Sequence, residues 1–168
     1  IEQAVLAGQT LFGENRVQEA QEKWPDLLET YPNIRLHLIG PLQTNTTRQA
    51  VKLFHAIHTL DRPKLAHSLA RVMAEEAVSI PVYIQVNTGD EPQKAGIVLE
   101  ELQDLVVLAR DELQLDVRGL MAIPPACDHP GPHFALLARL AKDLGLQDLS
   151  MGMSGDYEQA VQLGATIV

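Results

Sequence analysis

Extended and helical signals alternate from one end of this chain to the other, and that alternation restricts the possible folds more than any other feature. Thr10 to Phe12 reads as a short extended piece after Gly8. Asn15 is placed to cap a helix, with Gln18 three residues on, that runs to Trp24 and Pro25. Arg35 to Ile39 is a strand closed by Gly40 and Pro41, and Ala56 to Thr59 is another, followed by Asp61 and Pro63 at a helix start. In that helix Leu65, Leu69, Val72 and Met73 share a face. Pro81 to Asn87 is a nearly unbroken apolar, β-branched run, the pattern of a strand covered on both sides. Leu99, Leu102, Val106 and Ala109 return to helical spacing, and Leu115 to Ile123 forms the next strand. Phe134, Leu137, Ala138, Ala141 and Leu144 make a helical stripe that Gly145 stops. Leu149 to Met151 is a strand, Asp156 to Leu163 a helix, and Thr166 to Val168 a strand again.

Strands joined by helical crossovers imply a parallel sheet covered by helices. Ile1 opens directly into a helical pattern, and Gly164 to Val168 ends in mid-strand, so both ends read as cut. The expected fold is therefore α/β: a (β/α)8 barrel missing its first strand, with residues 1–168 forming a single domain truncated at both ends. Periodicity does not show closure, and a doubly wound open sheet stays as the alternative. The net charge of −9, without a Lys/Arg-rich block, argues against a nucleic-acid groove. No apolar run is long enough for a bilayer. Cys127 is the single cysteine, so no intrachain disulfide can form and a reducing, cytoplasmic setting fits.

In barrels of this kind chemistry gathers where strands end and lead into helices. The most informative such segment is Ser150-Met151-Gly152-Met153-Ser154. A strand ends there, a glycine lets the backbone come close, and Ser154 is placed to open a helix whose free N–H groups suit a phosphate. A capped helix start with no ligand explains the same residues equally well. Cys127, His129 and His133 have metal-ligand composition, but Pro130 and Pro132 disrupt a shared helical face, and an exposed loop is the better reading. Glu75-Glu76 and Glu100-Glu101 read as solvated helix faces. No Gly-x-Ser-x-Gly elbow is present.

Phe12-Gly13-Glu14-Asn15 with Val17 to Ala20, His37 to Gln43 with Asn45, and Gln85 to Gly89 with Lys94 and Gly96 stand in a characteristic order. Gly119 to Pro124 and Ser150 to Ser154 with Asp156 and Glu158 complete it. Together they resemble the pyridoxal 5'-phosphate (PLP) homeostasis family, whose members are similar to the barrel domain of alanine racemase and of eukaryotic-type ornithine decarboxylases. The resemblance implies a cytoplasmic protein, monomeric when full length, that holds the cofactor PLP or delivers it to apo-enzymes, without committed catalysis. It implies no nucleic acid, membrane or metal. In the family a lysine at the end of the first strand carries PLP as a Schiff base. That strand is expected ahead of Ile1, so no stable Schiff base is expected on this chain. An Arg and a Gly that help bind the ring and phosphate are expected after Val168. Where relatives commonly have Lys, this chain has Thr46.

The cofactor-binding residues implied are Asn15, His37, Lys94, Met121, Ser150, Gly152, Met153 and Ser154. For each a plainer role exists: a helix cap for Asn15, a hydrogen-bonded core group for His37, core packing for the methionines, and an exposed charge neutralising Asp90 and Glu91 for Lys94. A PLP-dependent racemase or decarboxylase is the alternative function, and racemisation needs acid/base groups on both faces of the substrate. A barrel enzyme for a small phosphorylated metabolite, sharing only the phosphate cup, is a third.

Overall fold

The structure is a computed structural model that describes residues 1–89, 91, 93–126 and 129–168. Asp90 and Cys127, both of which entered the sequence reading, lie outside the described residues. Six strands form one sheet: β1 (Leu11–Glu14), β2 (Arg35–Leu38), β3 (Ala56–Leu60), β4 (Val82–Gln85), β5 (Val117–Met121) and β6 (Asp148–Ser150). Their order in space is their order in the chain, and every neighbouring pair is parallel. A doubly wound sheet reverses its order midway, which puts helices on both faces. Here the order never reverses, so crossovers of one hand place every helix on the same face and leave the other to curl inward. The sheet is part of a (β/α) barrel.

The helices are α1 (Glu2–Leu6), α2 (Val17–Lys23), α3 (Pro25–Thr30), α4 (Thr47–Leu53), α5 (Pro63–Glu76), α6 (Leu99–Val106), α7 (Pro130–Asp143) and α8 (Tyr157–Gln162). Alternation along each strand divides the side chains between two environments. Leu36, Leu38, Ile57, Val82, Ile84 and Leu120 join Leu65, Leu69, Leu102, Leu105, Phe134 and Leu137 in one continuous core between sheet and helices. Each fully buried leucine there contributes roughly 2 kcal/mol relative to exposure. The opposite face holds a much smaller cluster of Ala56, Tyr83 and Met121. Because stability comes from the outer layer, the inner face can carry buried polar groups, among them His58, Gln85 and Ser150.

Several local expectations give way to tertiary packing. Asn15 does not cap α2: the N-cap is Arg16, and no side chain supplies the cap bond. Asn15 instead lies against β2's exit, where a Cβ at Gly40 would sit 2.0 Å from its carbonyl oxygen, which is why a glycine stands there. Trp24 and Pro25 end α2 but also start α3, with Pro25 at its first position, where its missing N–H is harmless. Ser154 lies in a turn, and α8 begins at Tyr157 with Asp156 at the N-cap. Thr166 to Val168 contributes only a parallel bridge between Ile167 and Ser150, on the free edge of β6. Glu75 and Glu76 are not simply solvated: both pair with Arg48 of α4, and Glu76 also binds Lys52 at 3.0 Å.

Candidate functional site

The inner face opens at the carboxyl ends of the strands into a cavity of about 340 Å³, within the usual range for small-ligand sites. Leu11, Phe12, Ile39, Met121, Ile123 and Ile167 make it largely apolar. Ser150 and the turn that follows close its polar end.

Three strands contribute a hydrogen-bonded line of side chains. Nδ1 of His37 on β2 is 2.9 Å from Nε2 of His58 on β3. Nδ1 of His58 is in turn 2.8 Å from Oγ of Ser150 on β6. The line therefore crosses the barrel interior rather than following one strand pair. His58 is fully buried and stacks on Tyr83, with ring centroids 4.2 Å apart and planes 25° from parallel. Tyr83 donates its hydroxyl to Asp148 at 3.2 Å. Burial, then the neighbouring Asp148 carboxylate, pushes that phenol up to about 12. Burial pushes His58 down to about 3, with His37 adding repulsion. The same desolvation, with His55 nearby, lowers His37 to about 4. Both imidazoles are thus neutral at neutral pH.

After β6 the backbone folds over itself. The Met153 N–H donates to Asp156 Oδ1 at 2.6 Å, while the Asp156 and Tyr157 N–H groups donate to the Met153 carbonyl. Among the described residues, this leaves the amides of Gly152, Ser154 and Gly155 without a protein acceptor. Gly152 has φ +102°, and a Cβ there would lie 2.7 Å from that of Ala160, so glycine is required twice over.

The cavity brings together Asn15, His37, Met121, Ser150, Gly152 and Met153. Ser154 is exposed in the turn beyond the wall. Lys94 is not on the cavity wall. Its ammonium is 2.7 Å from Glu91 Oε2, in a loop that Asn87 ties down through hydrogen bonds to both backbone groups of Glu91. His133 faces Thr88 at 3.1 Å, and among the described residues no three His, Cys, Asp or Glu side chains are grouped to hold a metal. None of their helices is long and apolar enough to cross a membrane.

Sequence reading missed His58. The available signal was a polar residue two places after Ala56 in a strand whose every position is buried, since such a group needs partners inside the barrel. Tyr83 and Gln85 carry the same signal on β4.

A family model described as alanine racemase, N-terminal domain, matches residues 1–168. The pyridoxal phosphate homeostasis protein of Vibrio cholerae serotype O1 is 41% identical, over 99% of this chain and 75% of that protein. Among solved structures, PipY of Synechococcus elongatus PCC7942 superposes with a TM-score of 0.92 without PLP, at 38% identity. The same protein with PLP bound gives 0.91 at 37% identity, and in both cases the match covers 99% of this chain and 81% of PipY. With a barrel-type strand order, a polar-ended cavity and these similarities in agreement, the chain belongs to the alanine racemase N-terminal domain family and, within it, to the pyridoxal phosphate homeostasis proteins.

Proposed function

We propose that this chain binds PLP in the cavity and serves intracellular PLP homeostasis, holding the cofactor and delivering it to apo-enzymes rather than running a committed reaction. The observation that carries the reading is the union of a ring-sized apolar cavity with the unengaged amides of the Gly152 turn. Met121 and Ile39 would pack against the flat ring. Ser150 Oγ and the amides of Gly152 and Ser154 would hold the phosphate, with Met153 and Asn15 at the rim. When bound, PLP supplies an electrophilic aldehyde. The two imidazoles of the wall are held neutral and tied to one another, which favours a holder over a catalyst. The relatives' names and the PLP-bound PipY structure support the same reading. The proposal extends to a single barrel domain that works in the cytoplasm as a monomer.

Titration calorimetry with PLP, pyridoxal and inorganic phosphate tests it. PLP should bind at least about tenfold more tightly than pyridoxal, a difference of about 1.4 kcal/mol. Gly152→Ala, which closes the turn, should erase most of that difference. Equal affinity for PLP and pyridoxal would overturn the phosphate assignment.

Lys94 lies outside the cavity wall, so its proposed role is at transfer: released from Glu91, its ammonium meets the departing cofactor. Lys94→Ala should leave PLP affinity unchanged and slow delivery to an apo-enzyme. Unchanged delivery would leave Lys94 a surface charge.

A further inference from the structure

We propose that the Ser150–His58–His37 line couples the two ends of the cavity, so that an anion bound at Ser150 turns the free nitrogen of His37 from a hydrogen-bond donor into an acceptor. This rests on the PLP reading above and adds to it a way in which the site tests both ends of its ligand.

Burial leaves each of the two rings a neutral imidazole. Such a ring carries one N–H, so one nitrogen donates and the other accepts. In the contact between His37 Nδ1 and His58 Nε2, at 2.9 Å, one of the two must hold the proton. If His58 Nε2 holds it, His58 Nδ1 is a bare acceptor for the Ser150 hydroxyl, and His37 carries its proton on Nε2. If His37 Nδ1 holds it, His58 must carry its proton on Nδ1 and donate to Ser150 Oγ, and His37 Nε2 is bare. The two rings therefore always share one tautomer. Burial, which keeps both rings uncharged, removes the protonated state that would break this rule.

Occupancy decides between the arrangements. Among the described residues, the Ser150 hydroxyl has one recorded side-chain partner, His58 Nδ1. With the cavity free of anions it donates there, and both rings carry Nε2–H. A phosphate beside Ser150 offers a stronger, charged acceptor. The hydroxyl then turns to the anion, His58 must donate to Oγ, and both rings become Nδ1–H. The conversion conserves charge. Ser150 passes its proton to His58 Nδ1, His58 Nε2 passes one to His37 Nδ1, His37 Nε2 releases one to solvent, and Ser150 regains one from solvent. The wall at His37 then accepts a hydrogen bond instead of giving one, so a ligand with an anionic tail is held best when its other end carries a donor.

Two-bond proton–nitrogen correlation spectra of the nitrogen-15-labelled chain read ring tautomers directly, and the Gly152 amide resonance reports occupancy. PLP and inorganic phosphate should each convert His37 and His58 together from Nε2–H to Nδ1–H, and pyridoxal should not. In Ser150→Ala, which should bind phosphate more weakly, phosphate raised until the Gly152 amide saturates should leave both rings in one tautomer throughout. Opposite tautomers in the two rings, or unchanged tautomers in a chain whose Gly152 amide has saturated with phosphate, would overturn the coupling. A Gly152 amide unmoved by PLP and phosphate alike would instead remove the PLP reading, and the coupling with it.

Discussion

His58 sits where an imidazole can be neither charged nor left alone: it is fully buried, stacked on Tyr83 and bonded at both nitrogens. Its folded-state value of about 3 and that of His37, about 4, lie below the ordinary 6.5. As pH falls below about 6.5 the unfolded chain takes up protons that the folded chain refuses, so stability present at neutral pH is lost on acidification. Between the two values each ring steepens the loss by up to about 1.4 kcal/mol per pH unit. Urea unfolding at several pH values checks this: His58→Phe should be less stable at pH 7 by roughly 1–2 kcal/mol, for two lost hydrogen bonds. It should also lose stability more gently in acid, and an equal acid slope would show that His58 is not the group responsible. At this scale the sequence was legible where a residue type has few uses, as with Gly152, whose positive φ and close approach to Ala160 demand a glycine. It was illegible for His58, because a histidine's partners lie on strands far apart in the chain. Local capping rules misplaced Asn15 and Ser154, since the Asp156 carboxylate takes the Met153 amide in the turn and the Asn15 backbone packs against Gly40 while Arg16 stands at the N-cap.

Strands β3 and β4 are buried at every position and flanked on both sides, whereas β1 has a partner on one side among the described residues. Their amides should exchange with deuterium most slowly and those of β1 much faster, by hydrogen-exchange NMR. Comparable protection in β1 would mean that its outer edge is covered in solution. On the opposite surface, Arg48 and Lys52 clamp α4 to α5 through Glu75 and Glu76. Lys52, then Arg48, holds the Glu76 carboxyl below the usual range. Glu76→Gln should lower the unfolding midpoint at low ionic strength and leave it nearly unchanged in molar salt, where such exposed charges are screened. Strand centres were legible from their apolar runs. Their ends were not, because a run such as Pro81 to Asn87 continues past the last ladder bond of β4 into the bridge of Val86 with Ile97. Helix α4 escaped notice because its buried face, Thr47, Ala50 and Val51, has little apolar contrast.

For the molecule as a whole, a ligand that binds only the folded state must raise its stability by mass action. PLP at 100 times its dissociation constant should add about 2.7 kcal/mol to the unfolding free energy, measurable by denaturant titration. No gain at a concentration that saturates calorimetry would show that the bound state is not the folded one. The alternation of strands and helices made the α/β class legible. Closure was not, because it resides in the spatial order of strands, which periodicity does not record. That order has a further consequence during synthesis. Each new strand pairs with the one made just before it, and none has to be threaded between two that are already joined. The sheet can therefore be laid down in the sequence in which it leaves the ribosome, each βα unit docking onto a finished edge while the next is still being translated.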